Sequence, residues 1–397
     1  MPWKEVSSME QKHRFVILAE REEQSFSRLC EEFGISRKSG YKWRERYRKE
    51  GLLGLEERTR RPHRYPHATD EAIESLVLKV KRRHPTWGPK KLREVLITEC
   101  KIEKPPAVST LAKILYRHGL TRKMKRRRVG IYHHPPQTLS EPQKANDVWS
   151  VDFKGWFCTA DGVRCDALTV TDLYSRYVIA CKALEGQTQL LVKRAFKRIF
   201  RQYGLPRIIR VDNGTPFAAM GLAGLSKLSV WWIELGIRVE FTRKGCPQDN
   251  GSHERMHRTL KAEAIRPPSA NRKAQQRRFE RWKQTFNHLR PHESLEMAKP
   301  AQKYHPSPRR YRESDIYVHY PKEYRVKKIS QGGFLSWKGK NYFLGEAFCG
   351  VKVGLVETDN APTEIYFANL RLGVLKLNKK DRYRPPAYID PSVNSNS

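Results

Sequence analysis

Acidic residues are scarce in this chain, with 42 Asp and Glu against 78 Lys and Arg in 397 residues and a formal net charge of +36. Long apolar runs are lacking too. No stretch approaches the roughly 20 residues of a bilayer-spanning helix, and the opening Met-Pro-Trp-Lys-Glu-Val-Ser-Ser-Met-Glu has no apolar leader segment. A cytoplasmic, nucleoid-associated protein without membrane contact is expected. Cysteine pairs are also missing: seven cysteines, at 30, 100, 158, 165, 181, 246 and 349, are dispersed with no Cys-x-x-Cys among them. That argues against a zinc module or a disulfide framework and leaves reduced, mostly buried thiols.

The excess of Lys and Arg runs through the whole chain. It is the footprint of a nucleic-acid binder, whose affinity falls steeply with salt as counterions are displaced. A chain of this length divides into several domains. Residues 1–60 read as helix, Ser-capped helix, Gly turn and basic Ser-capped helix, a helix-turn-helix DNA-binding domain. Arg37, Lys38, Ser39, Lys42 and Arg44 stand on the last helix, where base edges and phosphates would be met. Gly40 within that helix costs it some intrinsic stability. Past a basic Pro/His stretch (58–68), residues 69–120 repeat the pattern as a second helix-turn-helix-like domain, with Asp70, Pro89 and Ser109 as start signals. Residues 121–145 form a basic linker in which Lys125, Arg126, Arg127 and Arg128 track phosphates.

From 146 the pattern becomes strand-like at 148–153, 164–171, 175–183, 207–211 and 238–242, with helical stretches at 187–203, 224–236 and from 252 onward. Successive strands followed by strands separated by helices imply a mixed sheet covered by helices over 146–305. Trp231 and Trp232 belong to an apolar helix and read as core. Short runs between 316 and 380, broken by Gly, Asn and Pro, suggest a small β-barrel, and 381–397 reads as a disordered tail. The fold class is therefore multidomain α+β.

Against this basic background three carboxylates stand out: Asp152 in Trp-Ser-Val-Asp-Phe-Lys-Gly, Asp212 in Val-Asp-Asn-Gly and Glu254 in Asp-Asn-Gly-Ser-His-Glu-Arg. They lie sixty and forty-two positions apart, and sheet neighbours can bring such positions together. Singly, Asp212 is a turn residue and Glu254 a first-turn helix residue. Together they are expensive in a basic protein unless divalent cations neutralise them, and such cations beside phosphates suggest phosphoryl transfer. Arg258 and Lys261 share a helix face with Glu254 and set phosphate-binding cations beside it. Asp166 and Asp172 read as turn or edge residues and Asp249 as a turn residue. His253 and His257 flank the site as helpers, while His133 and His134 sit in the linker.

These contexts, with Phe286-Asn287-His288-Leu289-Arg290-Pro291-His292, resemble the integrase-type transposases of bacterial insertion sequences, in the retroviral-integrase superfamily. The resemblance runs from the first helix-turn-helix to the end of the core. It implies an RNase H-like core whose Asp152, Asp212 and Glu254 are the catalytic, metal-binding triad. Two Mg2+ ions are the implied cofactors, with Mn2+ able to substitute. The implied activity is binding of the element's terminal inverted repeats, 3'-end cleavage and strand transfer into target DNA, by a homo-oligomer of at least two copies. The spacing between Asp212 and Glu254 exceeds the family's usual one, which points to an insertion around 217–226. The rival readings are a catalytically silent DNA-binding regulator derived from a transposase, and a nuclease that cuts without joining. Repeat sequence, target preference, cut-and-paste against copy-out, oligomer size and the role of the β domain are not written in the chain.

Overall fold

The computed structural model describes residues 7–58, 69–121, 139–243, 247–357, 362–377 and 387–390. Lys125 to Arg128, His133, His134 and the stretch 59–68 lie outside them. The chain divides into two units, Met1–Thr69 and Asp70–Ser397.

The first unit holds α1 (Ser8–Arg21), α2 (Phe26–Glu32) and α3 (Arg37–Glu50), with a tight helical turn at Gly51–Leu55. Each helix starts at a serine whose hydroxyl accepts a backbone amide of the first turn: Ser7 from Glu10, Ser25 from Arg28 and Ser36 from Ser39. At Ser7 the Glu10 carboxylate completes a capping box. Phe15, Val16, Ala19, Leu29, Cys30, Trp43 and Leu55 form the core. Gly40 now has a reason. A Cβ there would lie 2.8 Å from Cys30 Sγ and 2.9 Å from Phe15 Cζ, so α3 crosses its neighbours where only glycine fits.

The second unit opens with α4 (Glu71–Arg83), α5 (Pro89–Thr98) and α6 (Val108–Arg117) around Val77, Trp87, Leu92, Leu96, Leu111 and Ile114. Asp70 caps α4 and Pro89 starts α5 as expected, whereas Ser109 lies inside α6 and not at its cap.

Next come β1 (Val148–Cys158), β2 (Arg164–Asp172), β3 (Val178–Leu184), α7 (Gln189–Tyr203), β4 (Ile208–Val211), α8 (Lys227–Glu234), β5 (Arg238–Phe241), α9 (Gly251–Leu260), α10 (Arg272–Gln284) and α11 (Pro300–Lys303). The sheet order is β3-β2-β1-β4-β5, with β1–β2 and β2–β3 antiparallel and β1–β4 and β4–β5 parallel. This is the mixed sheet anticipated for the core. Alternation along the strands separates two faces. Trp149, Val151, Leu168, Val170, Ile209 and Val211 pack with Phe196, Phe200 and Trp232 of α7 and α8. Ala167, Val178 and Cys181 pack with Met256, Leu260, Phe279 and Trp282 of α9 and α10. Residues 217–226, where an insertion is expected, form a segment closed by a bridge between Ala218 and Leu225.

The closing motif proves structural. Asn287 brackets Val178, its Oδ1 accepting the amide at 2.8 Å and its Nδ2 donating to the carbonyl at 2.9 Å. Gln276 does the same for Ala183 N and Cys181 O. Side-chain amides thereby satisfy the open edge of β3. Arg290 is buried, pairs with Glu263 at 2.8 Å and lies over the rings of Phe286 and Trp87.

The last module comprises β6 (Arg325–Lys328), β7 (Phe334–Trp337), β8 (Lys340–Phe343), β9 (Lys352–Val356), β10 (Glu364–Phe367), β11 (Leu370–Leu377) and β12 (Ala387–Asp390). Their order is β6-β9-β10-β11-β12-β8-β7. The barrel is not closed. All four residues of β6 are exposed, so that edge has no apolar face to close with, and the core is completed instead by Leu225, Val230 and Ile233 at α8. Part of the stretch read as a tail is likewise ordered, since Ala387–Asp390 pairs with 374–377. No helix among the described residues is long and apolar enough to cross a membrane.

Candidate active site

The strand alternation that buries Val151 turns Asp152 to the α9 face, where His257 Nδ1 lies 3.7 Å from its carboxylate. In the parallel pairing of β1 with β4 the last rung joins Ser150 to Arg210. Two positions further along each strand, Asp152 and Asp212 come level. Asp212 directly follows β4, the end of the strand where ligands of such sheets collect. One of its oxygens accepts the Gly214 amide at 3.2 Å, so the turn role and an outward-facing carboxylate coexist. Glu254 lies exposed in the first turn of α9. That helix is tied to β1 where Ser150 Oγ donates to Asn250 Oδ1 at 2.8 Å.

Asp152 feels the charge of both other acids. The Asp152 side chain is three-quarters covered, and its carboxyl is pushed up to about 7, first by burial, then by the charge of Asp212, with Glu254 adding to it. Behind it stands a polar network. Thr169, paired with Asp152 across β1 and β2, donates its hydroxyl to the Asp152 carbonyl at 2.9 Å, and the Nε2 atoms of His253 and His257 each lie 2.7 Å from the same oxygen. A hydroxyl has one proton to give, so with it on the carbonyl both Nε2 atoms are donors. Thr171 Oγ1 then donates to His253 Nδ1 at 2.9 Å. Burial keeps both rings neutral, holding His253 down to about 3 and His257 lower still. His257 Nδ1 is left with a lone pair, 3.7 Å from Asp152 Oδ2. Asp152, His253 and His257 offer ligand atoms within 4.8 Å of one another, but the threonines occupy both nitrogens of His253. The atoms free for a cation are the carboxylate oxygens and His257 Nδ1.

Other acids have local duties. Asp172 Oδ1 accepts the Ser175 amide and hydroxyl, and its Oδ2 accepts the Asn146 amide. Asp249 pairs with Arg243 at 2.7 Å, which holds its carboxyl below the usual range. Asp166 is buried and takes Arg164 and Gln187. Trp231 and Trp232 are core residues.

Among the cations read as DNA contacts, Arg37, Lys38 and Lys42 are exposed on α3, and Arg258 and Lys261 are exposed on α9 and the turn after it. Ser39 is half-buried, its hydroxyl accepting that of Ser36 at 3.0 Å. The Arg44 guanidinium pairs with Glu20 at 2.9 Å and Glu22 at 2.8 Å, and so braces α3 against the end of α1. Sequence reading passed over Thr169, Thr171 and Asn250. A signal existed in two polar residues at strand period facing two histidines at helix period.

Acids on β1, just past β4 and on α9 are thus set on a mixed sheet flanked by helices. Residues 142–247 and 235–300 match the integrase core domain, 11–63 a helix-turn-helix domain, 39–115 a homeodomain-like domain and 324–382 the IS481 family transposase C-terminal domain. The chain carries an integrase core domain preceded by helix-turn-helix modules and followed by an IS481 family transposase C-terminal domain, and it is similar to proteins of bacterial insertion elements. It is 28% identical over 190 residues to the insertion element IS407 uncharacterized 31.7 kDa protein of Burkholderia multivorans, covering 47% of this chain and 66% of that one. It is 25% identical over 252 residues to the insertion element IS476 uncharacterized 39.2 kDa protein of Xanthomonas euvesicatoria, covering 63% and 70%. The chain thus spans about two thirds of the length of these relatives. Among solved structures, the HTLV-2 integrase catalytic core domain in complex with magnesium is similar at 16% identity and a TM-score of 0.32, over 41% of this chain and 99% of that one.

Proposed function

We propose that the chain is a DNA transposase that binds the terminal inverted repeats of its element, cleaves the 3' ends and joins them to target DNA. One observation supports the reading: Asp152 on β1 has its carboxyl raised to about 7, first by burial and then by the charge of Asp212 just past β4, with Glu254 on α9 adding to it. Such a cluster is costly without cations, and its free donors suit a hard divalent ion. Asp152, Asp212 and Glu254 would hold Mg2+, with Mn2+ as a substitute. When bound, Mg2+ supplies an activated oxygen nucleophile and charge stabilisation at the phosphate.

The chain's own residues do the rest. Thr169 fixes the Asp152 backbone, and His257 holds a neutral ring beside its carboxylate. Arg258 and Lys261 offer exposed charges to the strand entering the site. Arg37, Lys38 and Lys42 offer theirs to the duplex, with Ser39 beside them. Paired ends call for at least two copies acting together. Lys125 to Arg128, in the linker, belong to the same proposal.

In a nicking assay on a duplex carrying the element ends, wild type is expected to cut in Mg2+ and to stop in chelator. Asp152→Asn, Asp212→Asn and Glu254→Gln each reduce cutting by at least ~100-fold while end binding stays within about two-fold. A variant that still cuts removes its residue from the site. Absence of cutting by wild type, with binding intact, favours the regulator.

A further inference from the structure

Beside α9, where it passes the end of β2, lies a cleft of about 480 Å³, lined among others by Lys91, Arg176, Arg255, Arg258, Arg290 and His292. The acids at its wall are already engaged. Asp172 serves Ser175 and Asn146, and Glu293 pairs with Lys90 at 3.0 Å. Arg290 is taken by Glu263, and Lys91 donates to the Pro291 carbonyl at 2.7 Å. Arg176 and Arg255 form no salt bridge among the described residues, and the charge on Arg176 is disfavoured first by burial and then by Arg255. Arg176 is also held at φ 62, a backbone region seldom used by a side-chain-bearing residue. His292 Nε2 is buried in the same wall with no hydrogen-bond partner among the described residues. Lys91 is depressed to about 8 by burial and by Arg290.

Two unpartnered guanidiniums, a burdened lysine and an orphaned ring nitrogen converge on one space, and an oxyanion suits all of them. The cleft runs on from the site already described. Ser252, Arg255, Met256 and Thr259 make one face of α9 at helical spacing, and Glu254, Arg258 and Lys261 make the adjoining face. Arg255 and Arg258 are exposed at the rim, so a strand passing Glu254 continues over Arg258 into the cleft. We infer that this cleft, between α5 and α9, seats a backbone phosphate of the bound nucleic-acid strand, with Arg176 and Arg255 as its principal contacts. This rests on the reading of the chain as one that acts on DNA.

The test uses the full chain and a duplex, with affinity measured across a salt series. Each lost phosphate contact lowers the slope of log K against log salt by about 0.9. Arg176→Ala with Arg255→Ala is expected to flatten the slope by roughly one to two on every sequence tried, and the paired Lys replacements to restore it. Should the double Ala chain fail to fold, Arg255→Ala alone, at an exposed position, gives the one-contact change. A wild-type slope in a folded Ala variant overturns the inference. So does saturable stabilisation by inorganic tripolyphosphate that the variant loses while its DNA slope stays unchanged, which would make the cleft a free-anion site. If wild type binds no DNA at any salt, the functional reading itself falls; if it binds and only the slope prediction fails, the cleft assignment alone falls.

Discussion

A carboxyl that holds its proton up to about 7, as that of Asp152 does, makes stability depend on pH. In the metal-free protein the folded-state value lies above the unfolded one. Its contribution is fully present at low pH and is lost as pH rises through the folded value. Between about pH 5 and 8 the metal-free chain should lose on the order of 2–4 kcal/mol from this group, since each pH unit separating the folded and unfolded values is worth ~1.4 kcal/mol. Thermal melts across that range should show the midpoint falling. Asp152→Asn should flatten the fall, and Asp212→Asn should reduce it by removing the largest like charge. A fall of unchanged size in Asp152→Asn would assign it elsewhere. Gly40 provides a second residue-scale prediction. Gly40→Ala gains roughly 1 kcal/mol of helix propensity but drives a methyl group against Cys30 and Phe15, an overpacking cost of ~1–3 kcal/mol. The N-terminal unit should therefore melt earlier in calorimetry, and a higher midpoint would show that the crossing is looser than described. Glycine's presence was legible in the sequence; its reason was not, because the atoms it accommodates lie 10 and 25 positions away.

At the scale of elements, α9 and α10 seal one face of the sheet through few polar contacts. Arg290→Ala leaves the Glu263 carboxylate, which also accepts Trp282 Nε1 at 2.8 Å, without its guanidinium. Breaking such a covered pair costs ~3–5 kcal/mol. Asn287→Ala exposes the edge groups of Val178 at ~1–3 kcal/mol. Urea titration of both variants should show these losses, and a loss below ~1 kcal/mol for Arg290→Ala would remove it from the structural frame. Elements with local signals were readable in advance: serine caps, Gly turns and strand alternation marked nearly every helix and strand. What escaped depends on distant partners. The pairing of Arg44 with Glu20 of α1 and with Glu22 just past it is one such contact. Strand-length runs after 316 suggest a barrel, but whether edges meet depends on β6, whose exposed residues leave the core to be finished by α8.

For the whole molecule, an overall charge of +36 makes acidic residues conspicuous, and the three acids were singled out because each stands in a recognisable turn or strand context. Their support was not. Thr169 lies 84 and 88 positions from the two histidines that converge on it, and only packing of α9 on β2 unites them. The central claim is that Asp152, Asp212 and Glu254 form one site that joins DNA. Incubation of the full chain with Mg2+, a supercoiled target and a duplex ending in the repeats that flank its reading frame tests this most directly. Joined product should form with wild type and vanish with Asp212→Asn, whose end binding remains. Joined product from Asp212→Asn at wild-type yield would contradict the account.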